Sequence, residues 1–577
     1  MRLEVWAPHA GRVELVLGEK RAPMIPGDRG WWRGELELEG ERDYAFSLDG
    51  GPPRPDPRSP WQPGGVDGPS RTVDHVSFGW TDRAWRPPPL EDWVIYELHV
   101  GTFTPEGTFA AVSSRLDHLR SLGVSAIELM PVAEFPGDRN WGYDCVDLYA
   151  PHHGYGGPQG LKELVKACHE AGIAVVLDVV YNHRGPEGSH LHEFGPYFTD
   201  HYPTPWGKAV NFDDSHSDEV RAFFIGNALM WLADYHVDAL RVDAVHAIRD
   251  RSATHFLEEL AMAVRSFESS SGRRCYVIAE SDLNDPRLVT DVERGGYGLD
   301  AQWSDDLHHA LHALITSERN GYYQDFGSIA DVAKAQRQAF VYDGEYSSYR
   351  GRKHGRRPTL FPAHPLPGHR FLGYLQNHDQ TGNRALGERI GALCSEELVK
   401  IASALVFTSA FVPLVFMGEE WGAATPFLYF TSHTDPLLGR AVKEGRRSEA
   451  AAFGWSPHDV PDPQDPETFE RSKLDWDEPG EERHAEMLRW YRALARLRRE
   501  HDALKSGDLG AIETRYDEDA GWLVLERGPI TVACNFSGAA VDMPLAGELL
   551  MSSGEVSGSR LGGRSLAICA REYPRAR

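Results

Sequence analysis

From Leu3 to about Trp85 apolar and polar residues alternate, as in Arg2-Leu3-Glu4-Val5 and Arg33-Gly34-Glu35-Leu36-Glu37-Leu38, with turn residues between the runs. Successive side chains of a strand point to opposite faces, so this pattern predicts short, half-buried antiparallel strands of a β-sandwich over residues 1–88. A proline-rich passage from Pro52 to Gly65, then Pro87-Pro88-Pro89, marks its end.

The pattern then changes. Eight strand-like apolar runs alternate with helix-like stretches: Trp93–Val100, Ala126–Pro131, Ala174–Val180, Ala239–Val245, Tyr276–Ala279, Ala301–Ser304, Phe371–Gln376 and Val412–Met417. Their near-continuous apolar character suits strands covered on both faces, and βα alternation implies a parallel sheet. The expectation is an α/β protein with a (β/α)8 TIM barrel over 89–502, enlarged by insertions at about 184–218 and 316–370; a doubly wound open sheet is the alternative. Residues 456–480, acidic and rich in proline, read as irregular loop. Glu481 to Glu500 carries Met487, Trp490, Tyr491, Leu494 and Leu497 at helical spacing and would close the barrel. Alternation returns beyond Lys505, which predicts a C-terminal antiparallel β domain over 503–577. The uncharged run Ile401 to Met417 is interrupted by Ser403, Thr408, Ser409 and Pro413, and reads as a buried helix followed by a buried strand. A membrane span needs about 20 apolar residues, so no membrane is expected.

Charge narrows the partners. With 60 Lys+Arg against 86 Asp+Glu the 577-residue chain carries a net charge of −26. That field repels nucleic acid and anionic membranes and leaves a neutral ligand open. The opening MRLEVWAPHAGRVELV lacks the apolar block of a signal peptide, and six scattered cysteines without a CxxC pair read as reduced thiols, so a cytoplasmic location is expected.

The chemistry lies in acids at the ends of apolar runs. In Asp238-Ala-Leu-Arg-Val-Asp-Ala-Val-His246 the strand period puts Arg241 and Asp243 on one face, where the guanidinium would keep Asp243 ionised; a plain buried salt bridge is the structural alternative. Cys275-Tyr-Val-Ile-Ala-Glu280 ends in an acid with no basic neighbour in sequence, and burial without a cation raises a carboxyl pKa toward what a general acid needs. Phe371-Leu-Gly-Tyr-Leu-Gln-Asn-His-Asp379 ends in a third. Each alone is more readily a helix cap, but three at the ends of one barrel's strands converge on its C-terminal face. That is equipment for glycoside hydrolysis, with carboxyl groups about 5–5.5 Å apart in a retaining enzyme and about 6.5–9.5 Å apart in an inverting one. Trp141, Tyr143 and Tyr181, beside the same ends, suit apolar sugar faces, a weak signal because simple packing is the more common role of any one ring.

Asp178-Val-Val-Tyr-Asn-His183, Arg241 to His246, Ala279-Glu280 and Gln376-Asn-His-Asp379 occur in order and resemble the four signature blocks of the α-amylase superfamily. The resemblance implies a retaining mechanism on α-glucosidic bonds, with Asp243 as nucleophile, Glu280 as general acid/base and Asp379 stabilising the transition state. It implies that Arg241, His183, His246 and His378 hold the sugar and that Tyr143 stacks on it. Ala279-Glu-Ser-Asp-Leu-Asn-Asp285, Gln302 to His312, His378 to Arg384, Lys443-Glu-Gly-Arg-Arg447 and Asp56 to Pro63 are similar to the malto-oligosyltrehalose trehalohydrolase family. Members of that family cleave the α-1,4 bond next to a terminal trehalose of maltooligosyl trehalose, and Asp305, Asp306, His309, Gln380 and Asn383 become candidates for the trehalose side. Cys145 replaces an expected glycine and Leu307 an expected phenylalanine; neither touches an acid. A glycogen branching or debranching enzyme is the alternative within the same chemistry, and a catalytically silent glucan-binding protein the alternative outside it.

No cofactor and no catalytic metal are expected. His152-His153 and His308-His309 lack a zinc-site context. The glycine-rich Gly154 to Gly160 reads as a turn with Pro158 starting a helix, not a phosphate loop. The basic Arg350 to Arg357 reads as a solvated loop or one bordering the sugar cleft.

Overall fold

The computed structural model describes residues 2–204, 207–358 and 365–571. Residues 205–206 of the expected first insertion, 359–364 of the second and 572–577 of the C-terminal domain lie outside the described residues, as does residue 1.

Eight parallel strands close into a barrel: Ile95–Leu98, Ala126–Leu129, Ala174–Val179, Ala239–Val242, Tyr276–Ala279, Ala301–Trp303, Phe371–Tyr374 and Val412–Phe416, the last pairing with the first. Every strand falls within one of the eight apolar runs, and the open-sheet alternative is excluded by the closure. The two-residue period sorts each strand's side chains between the interior and the surrounding helices. Ile95, Ala126, Ala174, Val176, Ala239, Tyr276, Ile278, Leu372, Val412 and Leu414 pack into one apolar plug. Two residues further along the strands, the same face carries Glu97, Glu128, Asp178, Arg241 and Glu280. The interior thus changes from dry to ionic on approaching the C-terminal face.

The uncharged run near residue 410 is a helix, Glu396–Phe407, and then the eighth strand, and no helix among the described residues is long and apolar enough to cross a membrane. The helix Glu482–Glu500 packs on Glu396–Phe407 and buries Met487, Trp490, Tyr491, Leu494 and Leu497. The first insertion holds a hairpin, Phe198–Thr204 with Gly207–Val210, and the second a helix, Ile329–Gln338, and a hairpin, Asp343–Ser347 with Arg352–Gly355. The passage 456–480 is less irregular than expected, since Asp465 caps a short helix, Pro466–Glu470.

Before the barrel stand two antiparallel sheets, of three and four strands, between Arg2 and Arg71; after it stands a five-stranded antiparallel sheet, with a three-stranded one, between Ile512 and Ala570. Polar side chains fasten both ends to the barrel. Trp31 Nε1 donates to Glu219 at 2.9 Å, and Arg54 pairs with Glu193 at 2.9 Å. At the other end the buried Arg527 donates to the carbonyls of Thr408, Ser409 and Leu504, satisfying the turn that leads into the eighth strand.

Candidate active site

Arg241 is the hub. It is fully buried, and its Nη1 donates to both oxygens of Asp178, at 2.9 and 2.8 Å, and to Asp243 Oδ1 at 2.9 Å. Its Nη2 lies 3.8 Å from Glu280 Oε2, and its guanidinium sits 4.3 Å over the Trp303 ring. Burial opposes the charge, but Asp178, Tyr143, Glu280 and Asp243 outweigh it and lift the Arg241 pKa well above its usual value. A desolvated cation with so many acceptors is rigidly held. Asn182 Nδ2 fixes the other oxygen of Asp243 at 2.7 Å.

Glu280 follows the fifth strand directly. Burial, with the charges of Asp243 and Asp379, raises its pKa, while Arg241 and His246 pull the other way. The expected rise is present, but not for want of a cation: Arg241, one strand away, is invisible in the local sequence. Glu280 Oε2 also accepts the N–H of Ala244 at 2.5 Å. Ala244 adopts a left-handed backbone, φ 40°, immediately after Asp243; this kink turns its N–H toward the neighbouring acid.

Asp379 lies in the first turn of the short helix His378–Gly382, capped by Asn377, whose Oδ1 accepts the Asp379 N–H at 2.9 Å. His378 is held from below by Glu97 of the first strand, which accepts its backbone N–H at 3.0 Å and its ring Nδ1–H. Nε2 faces the Tyr143 hydroxyl at 2.8 Å and Asp379 at 3.5 Å. Burial alone would lower the His378 pKa; the carboxylates of Asp379 and Glu97 reverse this and lift it to about 9. The ring is therefore a cation at neutral pH. Beside Glu97, Glu128 has no hydrogen-bond partner for either oxygen among the described residues, and burial keeps it protonated.

The other expected residues divide. Tyr143, partly exposed, donates to Asp178 Oδ2 at 2.7 Å and lies against the His378 ring. Both ring nitrogens of His183 face protein oxygens, Tyr143 O at 3.0 Å and Asn182 Oδ1 at 2.6 Å, so it braces the Tyr143 loop. His246 stands near Glu280 and Asp282, and among the described residues neither its Nδ1 nor Gln380 Oε1 has a hydrogen-bond partner. Asp305 is hydrogen-bonded by the Tyr374 hydroxyl, and burial next to Glu280 and Asp282 lifts its pKa to about 8. His309 is neutral, driven down to about 3 by burial between Tyr322 and Phe326. Asn383 donates to Asp379 Oδ1 at 3.1 Å.

Asp306 departs from the expectation. Its Oδ2 accepts from Asn284 Nδ2 and from the backbone of Val341 and Tyr342, at 2.6 to 2.8 Å, so it ties down the second insertion. Trp141 and Tyr181 are also buried packing residues, bonded to Leu428 O and Asn227, leaving Tyr143 alone of the three rings facing the acids. Arg350 pairs with Asp282 at 3.0 Å and His354 with its carbonyl at 2.7 Å, so the basic loop borders the segment after Glu280.

One group of metal-ligating residues occurs among the described residues: Glu134, His152 and His153. His152 Nδ1 accepts the Gly154 N–H at 3.1 Å, which puts its proton on Nε2, pointing at Gly137 O at 3.2 Å. That tautomer offers Glu134 no lone pair to share with an ion, and Glu134 is instead bonded by the backbone and ring of His153 at 2.9 and 2.8 Å. The group braces the paired strands Ala133–Glu134 and Asp147–Pro151, between which Tyr143 lies. A strand, Asp147–Pro151, does end just before Gly154, but Gly157 and Pro158 open the helix Gly157–Glu170 as expected.

A closed β/α barrel with three acids at the C-terminal strand ends, two sharing one buried arginine, defines a glycoside hydrolase of the α-amylase type. Residues 73–202 match the α-amylase catalytic domain, and residues 507–568 a domain of unknown function, DUF3459. The chain is 48% identical to the malto-oligosyltrehalose trehalohydrolase of Arthrobacter ramosus, over 98% of this chain and 99% of that one, and 44% identical to that of Brevibacterium helvolum, over 98% and 97%. It belongs to the malto-oligosyltrehalose trehalohydrolase family. Among solved structures, a Salmonella typhimurium protein described as a candidate α-amylase superposes with a TM-score of 0.90 at 37% identity, covering 99% of this chain and 97% of that one. An Anoxybacillus pullulanase complexed with maltotetraose shares the fold, with a TM-score of 0.73 at 19% identity over 99% of this chain and 86% of its own.

Proposed function

We propose that the protein is a retaining glycoside hydrolase that cleaves the α-1,4-glucosidic bond next to the terminal trehalose of maltooligosyl trehalose, releasing trehalose and a shortened maltodextrin. The observation that carries the chemistry is the single guanidinium of Arg241 between Asp243 and Glu280. The substrate follows from kinship over nearly the full chain with relatives named for that activity.

Asp243, held by Arg241 and Asn182, attacks the anomeric carbon while Glu280 gives its proton to the leaving oxygen, so trehalose departs neutral. A water then enters; Glu280, now ionised, takes its proton as the Asp243 ester breaks. Asp379 opposes the positive charge that develops on the ring in both steps, and the charged His378, held by Glu97, donates Nε2–H to a sugar hydroxyl in place of the Tyr143 oxygen. Tyr143 offers a stacking face; His246, Asp305, Gln380, Asn383 and His309 are assigned to the remaining hydroxyls. No step calls for a cofactor or a catalytic metal. Six unpaired cysteines, all but Cys394 buried, support a reducing, cytoplasmic setting.

Incubation with maltopentaosyl-trehalose tests the substrate. Free trehalose supports the reading; transfer of glucan segments without trehalose release would instead establish a branching enzyme.

A further inference from the structure

The segment Lys443 to Arg447 has no part in the chemistry so far. It lies on the helix Pro436–Ala452, which follows the eighth strand and buries only Gly439 and Ala450. Such a helix has little apolar contact to hold it, and its fixings are polar. Glu187, beyond the third strand, accepts the N–H groups of Thr434 and Asp435, and Lys443 pairs with Asp462 at 2.6 Å.

One contact runs inward. Arg446, its side chain 13% exposed, donates through Nη1 to Asn383 Oδ1 at 2.9 Å and through Nη2 to the Gly382 carbonyl at 3.1 Å. Glu449 holds the same guanidinium at 2.8 Å, and the Tyr429 ring lies 4.8 Å beneath it. On its other side, the Asn383 amide donates Nδ2–H to Asp379 Oδ1. An amide has one accepting and one donating end, and arginine only donates, so Arg446 fixes which end meets Asp379. The reversed amide would set its oxygen against the carboxylate. Asp379 needs this support more than its partners: its side chain is 41% exposed, against 12% for Asp243 and 16% for Glu280, and it lacks their guanidinium.

We propose that Arg446 is a positioning residue for the reaction, holding the Asn383 amide in the one orientation that steadies Asp379. A bare Arg446–Glu449 surface pair, three residues apart on one helix, would not require the bonds to Asn383 and Gly382. The inference rests on reading Asp379 as the group that stabilises the transition state.

The test is steady-state kinetics on maltopentaosyl-trehalose for Arg446→Met, Arg446→Lys, Asn383→Ala, the Met/Ala double variant and Asp379→Asn. Because a misplacement of about 1 Å costs on the order of 10²-fold, Arg446→Met should lower kcat by tenfold or more with KM changed less than about threefold. Lysine, which still donates, should recover part of the loss. The double variant should be no slower than Asn383→Ala, because the two residues act in one chain. An unchanged kcat in Arg446→Met, or losses that multiply, would overturn the proposal, as would a rise confined to KM, the mark of direct sugar contact. If Arg446→Met fails to fold, the lysine variant decides: a kcat between those of the wild type and Asn383→Ala with KM little changed supports the proposal, and a wild-type kcat, with or without a KM effect, overturns it. Full activity in Asp379→Asn would sink the reading of Asp379 itself, whereas a crippled Asp379→Asn beside a normal Arg446→Met would sink only this inference.

Discussion

Glu97 accepts two hydrogen bonds from His378, one from the backbone N–H at 3.0 Å and one from the ring, and both side chains are almost wholly buried. The first strand thereby sets the orientation and the charge of a residue that follows the seventh, two places round the barrel. Replacing Glu97 by Gln removes one of the two charges that keep His378 protonated, and kcat/KM should fall by about 10- to 10²-fold, since a charge-assisted bond is worth about 1.5–3 kcal/mol. Activity unchanged in this variant would mean that the His378 charge is not used.

The same pair gives stability a pH dependence. The folded pKa of His378, about 9, stands above its ordinary 6.5, so folding takes up a proton. Its stabilising contribution is complete below about 6.5 and is lost as pH rises through about 9. Denaturant titrations between pH 6 and 10 should show this alkaline loss in the wild type and a smaller one in His378→Gln; equal slopes would contradict it.

Glu280→Gln should lower turnover about 10²–10⁴-fold, the range for general acid–base catalysis. Burial raises the Glu280 pKa, and a general acid works only while protonated, so kcat/KM should fall as pH rises through that raised value. This alkaline limb should be absent from the residual activity of the variant. A loss under about tenfold, or a limb that persists, would remove Glu280 from the role.

Asp243→Asn should abolish turnover, by about 10⁴-fold or more as for other lost nucleophiles, while the fold survives through the Arg241–Asp178 pair. Wild-type turnover in this variant would remove Asp243 as the nucleophile, and maltodextrin binding by a wild-type protein that shows no turnover would favour a glucan-binding protein.

Asp306→Ala strips three N–H donors of their acceptor, which should destabilise the protein by about 1–3 kcal/mol and speed amide exchange at Val341 and Tyr342. A weakened KM with those amides still protected would return Asp306 to the sugar.

The barrel was legible because strands such as Ala174–Val179 are covered on both faces and write themselves as unbroken apolar runs. Asp243, Glu280 and Asp379 were legible because an acid at the end of such a run is out of place. What lay hidden are relations between strands. Glu97 and Asp178 read locally as isolated charges, and Arg241 shows only Asp243 as a partner; the register of the third and fourth strands sets Asp178 against Arg241, and closure of the barrel brings Glu97 to His378. The cation near Glu280 comes from the preceding strand, and Asp306, from a motif shared with Asp305, is bonded to the second insertion because the helix from Asp305 brings its second residue against Val341 and Tyr342.

The central claim is that Asp243 and Glu280 release trehalose with retention, and proton NMR of the wild-type reaction on maltopentaosyl-trehalose tests it most directly. The account predicts free trehalose appearing together with a maltodextrin whose new reducing end is first the α-anomer and only later equilibrates. A first-formed β-anomer would contradict the covalent mechanism, and the absence of free trehalose would contradict the proposed substrate.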